Sequence, residues 1–306
     1  MKRIILRIMI LLIIIVLIDL SFGFIMDYLR IHAKGGDTAR AEYICNKTNE
    51  EILIMGSSRA AHHYIPSVLT DTLGLTCYNC GYDGCGVVLA TCQLHMILKR
   101  YKPKYIIYEL TPSFDFVAGD NLKYIKPMRP YFFQGGIDAV VNILDKTENW
   151  KCLSSFYRYN SNFYKIIQDN NVKVNEEDEH GYKKMTKIAK DEPKKNKDYT
   201  DVRPLDTIKI NLLHTLIQTC KQNNIKIIFV VSPLYTGDST SEVFDPIFKI
   251  IQAEDIIVLD HSCDRRFCKK RKYFVDSCHL SNEGTIEYSK VAEAADEPGL
   301  NTQLES

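Results

Sequence analysis

The chain has 306 residues, enough for one large α/β domain or two small ones. Hydrophobic residues make up 45% of it and charged residues 25%, and the formal net charge is +1. These values are typical of a globular protein, and they exclude the strongly basic surface that binds nucleic acid by charge, so no nucleic-acid partner is expected.

The N-terminus carries a basic flank followed by an apolar run. Lys2, Arg3 and Arg7 precede Ile8–Met26, in which Asp19 is the one charged residue. This segment is long enough to cross a bilayer about 30 Å thick at about 1.5 Å per residue. Because basic residues favour the cytosolic side, we predict a single-pass anchor in the cell inner membrane, with the remaining chain outside the cytosol.

A cleaved signal peptide is the alternative, since Ile8–Ile18 suits its apolar region and Ser21-Phe22-Gly23 suits a cleavage site. An uncleaved anchor is favoured, because apolar residues continue past that site and Asp19 can be tolerated by facing a partner helix. The predicted organisation is an anchor at 1–30, a polar connector at 31–50, an α/β domain at 51–298 and a tail at 299–306.

Strands and helices alternate along the domain, which predicts a parallel sheet with helices on both faces. The predicted strands are Glu51–Met55, Leu75–Tyr78, Tyr105–Leu110, Lys226–Val231 and Ile256–Asp260. The predicted helices are Pro66–Leu73, Val87–Tyr101, Ile137–Leu144, Leu205–Asn223, Val243–Ile251 and Ser281–Ala295. Ser58, Gly81 and Ser232 each follow a strand, so we expect them to gather at the carboxyl edge of the sheet, where ligands bind.

Residues 113–204 lose this alternation. We interpret them as an insertion over the edge or top of the sheet, where substrate-shaping loops lie. The charged segment Lys173–Asp198 predicts a solvated loop. The aromatic run Phe156–Tyr159 fits stacking on sugar rings or, as the better default, core packing.

Ten cysteines in an exported chain permit disulfides. Cys77-x-x-Cys80 could form half of a zinc site, but no second Cys or His pair lies at a useful spacing. Small buried thiols, or one or two disulfides, are the preferred interpretation, and no metal or organic cofactor is implied.

A serine and an Asp-x-x-His pair suggest chemistry at the two ends of the domain. Ser58 lies at a strand-to-helix turn, which can raise its hydroxyl to the edge of a sheet. Asp276 and His279 are three residues apart, just before the last helix, so His279 could accept the proton of Ser58 while Asp276 fixes its tautomer. Ordinary turns and helix caps show the same patterns, and the combination on one edge is what favours catalysis.

The order of Gly56-Ser57-Ser58, Asn79-x-Gly81 and Asp276-Ser277-Cys278-His279 resembles the SGNH (GDSL-type) hydrolase superfamily. The anchor, the Ser58-Arg59 sequence and Glu109-Leu110-Thr111-Pro112 are similar to its membrane-anchored bacterial branch, which acts in D-alanylation of teichoic acid and O-acetylation of exopolysaccharide. The resemblance implies a flavodoxin-like three-layer α/β/α sandwich.

It also implies roles for single residues. Ser58 would be the nucleophile and, through its N–H, an oxyanion donor; the Gly81 N–H would be the second donor. His279 would be the base and Asp276 its orienter. The superfamily's third block, Gly-x-Asn-Asp, is absent, so the usual asparagine donor has no equivalent unless Asn79 or Asn121 replaces it.

The leading hypothesis is an extracytoplasmic serine esterase or O-acyltransferase acting on an acylated glycan or a small ester, with a membrane-bound acyltransferase as a partner. The alternative is a non-catalytic adaptor of the same fold in a polysaccharide-modifying membrane complex. Three further side chains are weaker candidates. Arg59 would bind an anionic substrate group or form an ion pair, His62 would line the site or start a helix, and Asp260 would be structural or a rival acid.

Overall fold

A computed structural model describes residues 1–111, 115–171, 179–188, 191–193, 203–237 and 241–291. Its centre is a five-stranded parallel sheet with the order β2-β1-β3-β4-β5, which is the flavodoxin-like order. The strands are β1 (Ile52–Gly56), β2 (Cys77–Asn79), β3 (Tyr105–Glu109), β4 (Lys226–Val231) and β5 (Val258–Asp260). The predicted α/β fold with a parallel sheet is therefore confirmed.

Both faces of the sheet are apolar because its strands are covered on both sides. In β1, Leu53 and Met55 belong to the larger core cluster on one face, whereas Ile52 and Ile54 belong to the cluster on the other. The side-chain period of two along a strand divides the residues in this way.

Helices form the two outer layers. Those of the central domain are α3 (Ser58–His63), α4 (Pro66–Leu73), α5 (Val87–Leu98), α11 (Thr207–Gln222), α12 (Ser241–Gln252) and α13 (Asn282–Val291). The larger cluster includes residues of α5, α11 and α12, and the smaller includes residues of α3, α4 and α13. The predicted continuation of the last helix to Ala295 and the predicted tail lie outside the described residues.

The N-terminal part contains two helices. Helix α1 (Lys2–Ile31) is the one helix in the described residues that is long and apolar enough to cross a membrane. Helix α2 (Gly36–Asn46) occupies the stretch interpreted as a polar connector. Its residues Ile44 and Cys45 are buried in the larger core cluster, so α2 packs onto the domain as a structural element.

Between β3 and β4 the described part of the insertion forms short helices. They are α6 (Leu122–Ile125), a 3₁₀ helix (Lys126–Gln134), α7 (Asp138–Leu144), α8 (Glu148–Lys151), α9 (Ser155–Tyr159) and α10 (Phe163–Asn170). Helices α9 and α10 pack against α1. Within Phe156–Tyr159, Tyr159 is buried against α1 and Phe156 stacks on Phe22, which agrees with packing rather than a sugar platform. Most of the charged segment Lys173–Asp198 lies outside the described residues.

All ten cysteines are free thiols, and eight of them are buried. Burial raises the pKa of Cys80 to about 12. The eight buried cysteines therefore act as small apolar side chains, which is the first of the two alternatives, buried thiols or disulfides, that the sequence left open.

Candidate active site

The turn after β1 places Ser58 at the carboxyl edge of the sheet. Gly56 has a φ of +136°, and a Cβ there would lie 2.7 Å from the carbonyl oxygen of Glu109. Only glycine therefore fits this close approach to β3. Ser57 follows in a non-helical conformation, and Ser58 is the first residue of α3.

A closed loop before α13 presents the second half of the site. A bridge between Phe274 and Leu280 closes it, and the N–H of Val275 donates to the carbonyl of His279 at 2.9 Å. Asp276 Oδ1 accepts the backbone N–H groups of Cys278 and His279, each at 2.8 Å. The carboxylate therefore holds the loop together and fixes its own position at the same time.

The turn and the loop meet in one hydrogen-bonded chain. Ser58 Oγ lies 2.8 Å from His279 Nε2, although the two residues are 221 positions apart in the sequence. On the other side of the ring, His279 Nδ1 lies 2.8 Å from Asp276 Oδ2. The structure thus brings the three residues together in the order nucleophile, base and orienting carboxylate.

Asp276 controls the protonation of His279. Burial lowers the pKa of His279, but the hydrogen bond to Asp276 and the neighbouring Cys278 thiol raise it overall to about 10. Burial alone would raise the pKa of Asp276, yet its hydrogen bond and ion pair with His279 hold that pKa well below its usual range. His279 is therefore a strong proton acceptor whose neutral form becomes more populated as the pH rises.

A buried network supports the loop from below. Leu280 N–H donates to His63 Nε2 at 3.0 Å, and His63 Nδ1 lies 2.6 Å from Ser232 Oγ. Ser232 Oγ in turn lies 2.7 Å from Glu109 Oε1. Burial and the nearby Arg59 charge lower the pKa of His63, so the ring is neutral and its Nε2 can accept. This network ties the residue after His279 to the ends of β3 and β4.

Arg59 belongs to this network. Its side chain is fully buried, with Nε 2.9 Å from Glu109 Oε1, and it also donates to Ser232. Burial raises the pKa of Glu109, and the Arg59 charge opposes that rise. The ion-paired role of Arg59, rather than binding of an anionic substrate group, is therefore the one that the structure shows. The sequence contained a signal for this pair, because Glu109 ends an otherwise uncharged buried strand.

Asn79 and Gly81 are joined to each other beside α3. The Gly81 N–H donates to Asn79 Oδ1 at 3.0 Å. The Asn79 amide donates to the carbonyls of Ala60 and Tyr64, at 2.7 and 3.1 Å. Both groups expected to bind an oxyanion are therefore engaged within the protein in this arrangement. The reason is the turn after β2, in which the asparagine side chain satisfies the backbone two residues further on.

The remaining sequence candidates lie apart from the triad's hydrogen bonds. His62 contacts the Lys183 carbonyl at 2.5 Å and Asp83 Oδ1 at 2.8 Å. Asp260 Oδ1 accepts the N–H of Ser262, which is a structural role. Asn121 donates to Asp206 Oδ2 at 3.0 Å.

Potential metal ligands also occur in the loop. One ligand atom from each of Asp276, Cys278 and His279 lies within 4.8 Å of the others. A metal bound through His279 Nδ1 would replace the hydrogen bond to Asp276. The triad arrangement and a metal site at these residues are therefore mutually exclusive.

Among known proteins, the chain is similar only to solved structures that the comparison of folds found. No family model and no curated protein matches the chain. A protein provisionally described as a platelet activating factor, from Streptococcus pneumonia, is 14% identical with a TM-score of 0.41, over 89% of this chain and 95% of that one. A protein provisionally described as a lipolytic protein of the G-D-S-L family, from Desulfitobacterium hafniense DCB-2, is 11% identical with a TM-score of 0.40, over 79% of this chain and 98% of that one. Such loose overlaps do not transfer an activity, so a function must be argued from this chain's own geometry.

Proposed function

We propose that this protein is a membrane-anchored serine esterase or O-acyltransferase that works outside the cytosol. The observation that carries the proposal is the hydrogen-bonded chain from Ser58 through His279 to Asp276. Two segments that are 221 residues apart converge on one hydroxyl, and the buried side chains beneath them fix their relative position. This is the arrangement that activates a serine toward an ester carbonyl.

In the proposed reaction, Ser58 Oγ attacks the carbonyl carbon of the ester while its proton moves to His279 Nε2. The tetrahedral intermediate collapses, and the leaving alkoxide takes that proton from His279. The acyl group remains on Ser58 until water or a sugar hydroxyl attacks it, with His279 again accepting the proton. This second tetrahedral intermediate collapses by breaking the bond to Ser58 Oγ, which takes the proton back from His279. Water gives a carboxylic acid, whereas a hydroxyl gives a new ester. Asp276 stabilises the imidazolium at both stages.

Contacts of α1 with the domain support an uncleaved anchor. Beyond the candidate cleavage site, Met26 packs with Tyr159 and Ile166 in a small core. Tyr159 Oη donates to Asp27 Oδ1 at 2.6 Å, and Arg30 forms an ion pair with Glu42. Cleavage near Ser21 would keep these contacts but remove Asp19, which accepts hydrogen bonds from the Ser154 hydroxyl and from the N–H groups of Ser155 and Phe156, so only an uncleaved α1 retains the whole contact. We propose that the N-terminal part of α1 crosses the membrane and its C-terminal part is built into the domain.

The proposed substrate is an acylated glycan, and the proposed partner is a membrane-bound acyltransferase. Both come from the resemblance of the anchor, the Ser58-Arg59 sequence and Glu109-Leu110-Thr111-Pro112 to the membrane-anchored branch of the SGNH superfamily. The position of the site in a domain tethered beside the membrane is compatible with a polymer or a lipid-linked donor near the surface.

Covalent labelling tests the enzymatic proposal. Full-length protein in nanodiscs is treated with a serine-reactive phosphonate, and we expect wild type to be labelled and Ser58→Ala not to be labelled. Ser57→Ala is the matched control, because Ser57 is adjacent but bonds to Thr111 Oγ1 at 2.8 Å instead of to His279. Absence of labelling in folded wild type would contradict the proposal.

One observation favours a second candidate, a non-catalytic adaptor with the same fold. The N–H of Gly81 is occupied by Asn79, so a second oxyanion donor is not free in this arrangement. An adaptor would leave Ser58 unlabelled while retaining a stable fold. The labelling experiment therefore distinguishes the two candidates.

A further inference from the structure

The apolar part of α1 that precedes its first carboxylate is too short to cross a membrane. Ile4–Ile18 rises about 22 Å in a helix, whereas the hydrocarbon core is about 30 Å thick. Arg7, near the cytosolic end, can extend its charge to the headgroups. The span must therefore continue past Asp19, through residues up to about Phe24, if α1 crosses the bilayer.

That continuation is the part of α1 on which the insertion packs. Asp19 accepts hydrogen bonds from the Ser154 hydroxyl at 2.7 Å and from the N–H groups of Ser155 and Phe156 at 2.8 and 3.0 Å. A Cβ on Gly23 would lie 2.3 Å from Ser155 Oγ, so α9 approaches the α1 backbone directly there. The start of α9 consequently lies at the depth of Asp19, inside the outer part of the bilayer.

A carboxylate in that position requires partners, because an unpaired charge in hydrocarbon is costly. Serine and two backbone N–H groups at the start of α9 satisfy it. The partner helix that would make Asp19 tolerable in the membrane thus comes from the same chain. This explains how an acidic residue can be part of a membrane-crossing segment.

The insertion exposes apolar side chains next to these contacts. In α10, Ile166 and Asp169 face inward, whereas Phe163, Tyr164 and Ile167 are exposed. We name the exposed group the interfacial surface; its residues are Phe133, Trp150, Leu153, Phe156, Phe163, Tyr164 and Ile167. Phe156 also stacks on Phe22 of α1, with ring centroids 4.4 Å apart, so this surface is continuous with the membrane helix.

We propose that the interfacial surface lies in the outer leaflet of the bilayer, at the boundary between headgroups and acyl chains. Three observations converge on lipid as its occupant: the depth of Asp19, the continuity with α1, and the presence of exposed tryptophan, tyrosine and phenylalanine. Tryptophan and tyrosine concentrate at membrane interfaces, and phenylalanine is common on the apolar face of interfacial helices. The proposal rests on membrane insertion of α1 and not on the proposed catalytic activity.

Such a surface would fix the orientation of the domain. A single helix leaves a domain free to pivot, whereas a helix and an adjoining surface restrain it at two points. The ion pairs between α1 and the domain, such as Arg30 with Glu42, make the same connection rigid. The Ser58 site would then stay at a constant height above the membrane, which suits a substrate attached to lipid.

The single tryptophan of the chain provides the test. Trp150 is 78% exposed in the protein, and it belongs to the interfacial surface. Full-length protein is reconstituted in nanodiscs, with lipids brominated high on the acyl chain or near its end. We expect Trp150 emission to shift to shorter wavelength and to be quenched more by the shallow bromines, since interfacial groups reach only about 5–10 Å into the boundary.

The matched control is Ile257→Trp in a Trp150→Phe background. Ile257 is 40% exposed and precedes the edge strand β5. The other edge strand, β2, is the one whose end contacts α2, through the hydrogen bond from Arg40 to the carbonyl of Asn79. Ile257 therefore lies at the edge of the sheet opposite to that contact. Its emission should remain at long wavelength and should not respond to brominated lipids.

Two outcomes would overturn the proposal. Protease protection first shows that α1 is inserted in the membrane. If Trp150 in that protein then emits at long wavelength and is not quenched, the interfacial surface faces water. Emission at short wavelength without quenching by bromine would show a protein neighbour in place of lipid. Glutamate substitutions at Phe163 and Ile167, which are exposed, should reduce the quenching of Trp150 if lipid is the occupant.

Discussion

The two sides of Ser58 differ in how completely they are assembled. On the side of the base, His279 and Asp276 are aligned at 2.8 Å, and a buried network holds the next residue of the loop. On the side where an oxyanion would form, the Gly81 N–H is bonded to Asn79. The geometry of the base side is therefore complete before a substrate binds, and His279 can accept a proton once its ring is neutral, whereas the oxyanion side is organised to stabilise the fold.

The difference has a physical origin. A base needs one acceptor atom at a fixed point, and a closed loop over buried hydrogen bonds supplies it. An oxyanion site needs N–H groups left without a protein acceptor, which is costly when the groups are buried. In this chain, the asparagine turn after β2 satisfies such a group. The N–H of Ser58 can still donate to an oxyanion, because Ser58 is the first residue of α3 and the first N–H groups of a helix have no intrahelical acceptor.

The largest expected effect is on the base side. Replacing His279 by alanine should lower the rate of ester hydrolysis about 10⁶-fold, because Ser58 would lose the proton acceptor that is positioned at its hydroxyl. The measurement is the turnover of a chromogenic ester by full-length protein. The circular dichroism spectrum serves as control and should remain that of a folded protein, since Asp276 also holds the loop through the backbone N–H groups of Cys278 and His279. A loss below tenfold would contradict the assignment of His279 as the base.

Removing the charge of Asp276 tests how that base is tuned. Asp276→Asn should lower the rate about 10⁴-fold, since the imidazole would lose the partner that fixes its tautomer. The pH profile gives a second signature. The neutral ring is the active form, so the wild-type rate should rise with pH toward the raised pKa of about 10.

In the variant, the pKa of His279 should fall toward its ordinary value, because the carboxylate that raises it is gone. The maximal rate of the variant should then be lower than that of wild type, but the variant should reach its maximal rate at a lower pH. Rates measured across the pH range in both proteins check this. An unchanged pH profile in Asp276→Asn would show that Asp276 does not set the pKa of the base.

The support beneath the loop should appear in stability. Glu109→Gln leaves the Arg59 guanidinium buried without its opposite charge, although the shape is retained. Breaking a buried pair in this way costs about 3–5 kcal/mol. Chemical unfolding of detergent-solubilised protein measures it.

Glu51→Gln is the matched control, because the Glu51–Lys104 pair is exposed to solvent at the other end of the sheet. Its removal should change stability little. If Glu109→Gln and Glu51→Gln lowered the free energy of unfolding equally little, the buried network would not stabilise the base side.

The sequence predicted the central fold well because its strands carry strong local signals. Lys226–Val231 forms β4 with the predicted bounds, since its apolar run is covered on both faces. The helix α2 was not predicted, because Gly36–Asn46 has only a weak apolar pattern. Its burial depends on contacts such as that of Arg40 with the carbonyl of Asn79, which no local pattern reveals.

The candidate site shows the same division. Ser58, His279 and Asp276 could be identified because each lies in a short motif at a predicted strand end or loop. The Arg59–Glu109 pair joins residues 50 positions apart, and only the register of β1 with β3 brings them together. The engagement of Gly81 by Asn79 depended on the conformation of one side chain, and the motif Asn79-x-Gly81 is compatible with either role.

The smallest expected effect tests the oxyanion side directly. Asn79→Ala removes the acceptor of the Gly81 N–H and leaves the carbonyls of Ala60 and Tyr64 without the amide donor. The buried carbonyls should cost about 1–3 kcal/mol of unfolding free energy. Turnover per folded molecule should change less than tenfold, whereas removal of a true oxyanion donor would cost about 10²–10³-fold.

Asn121→Ala is the matched control, since Asn121 bonds to Asp206. A loss of turnover of 10²-fold or more in Asn79→Ala alone would mean that the turn after β2 rearranges to bind the oxyanion, and that the two sides of Ser58 are equally complete once substrate is bound.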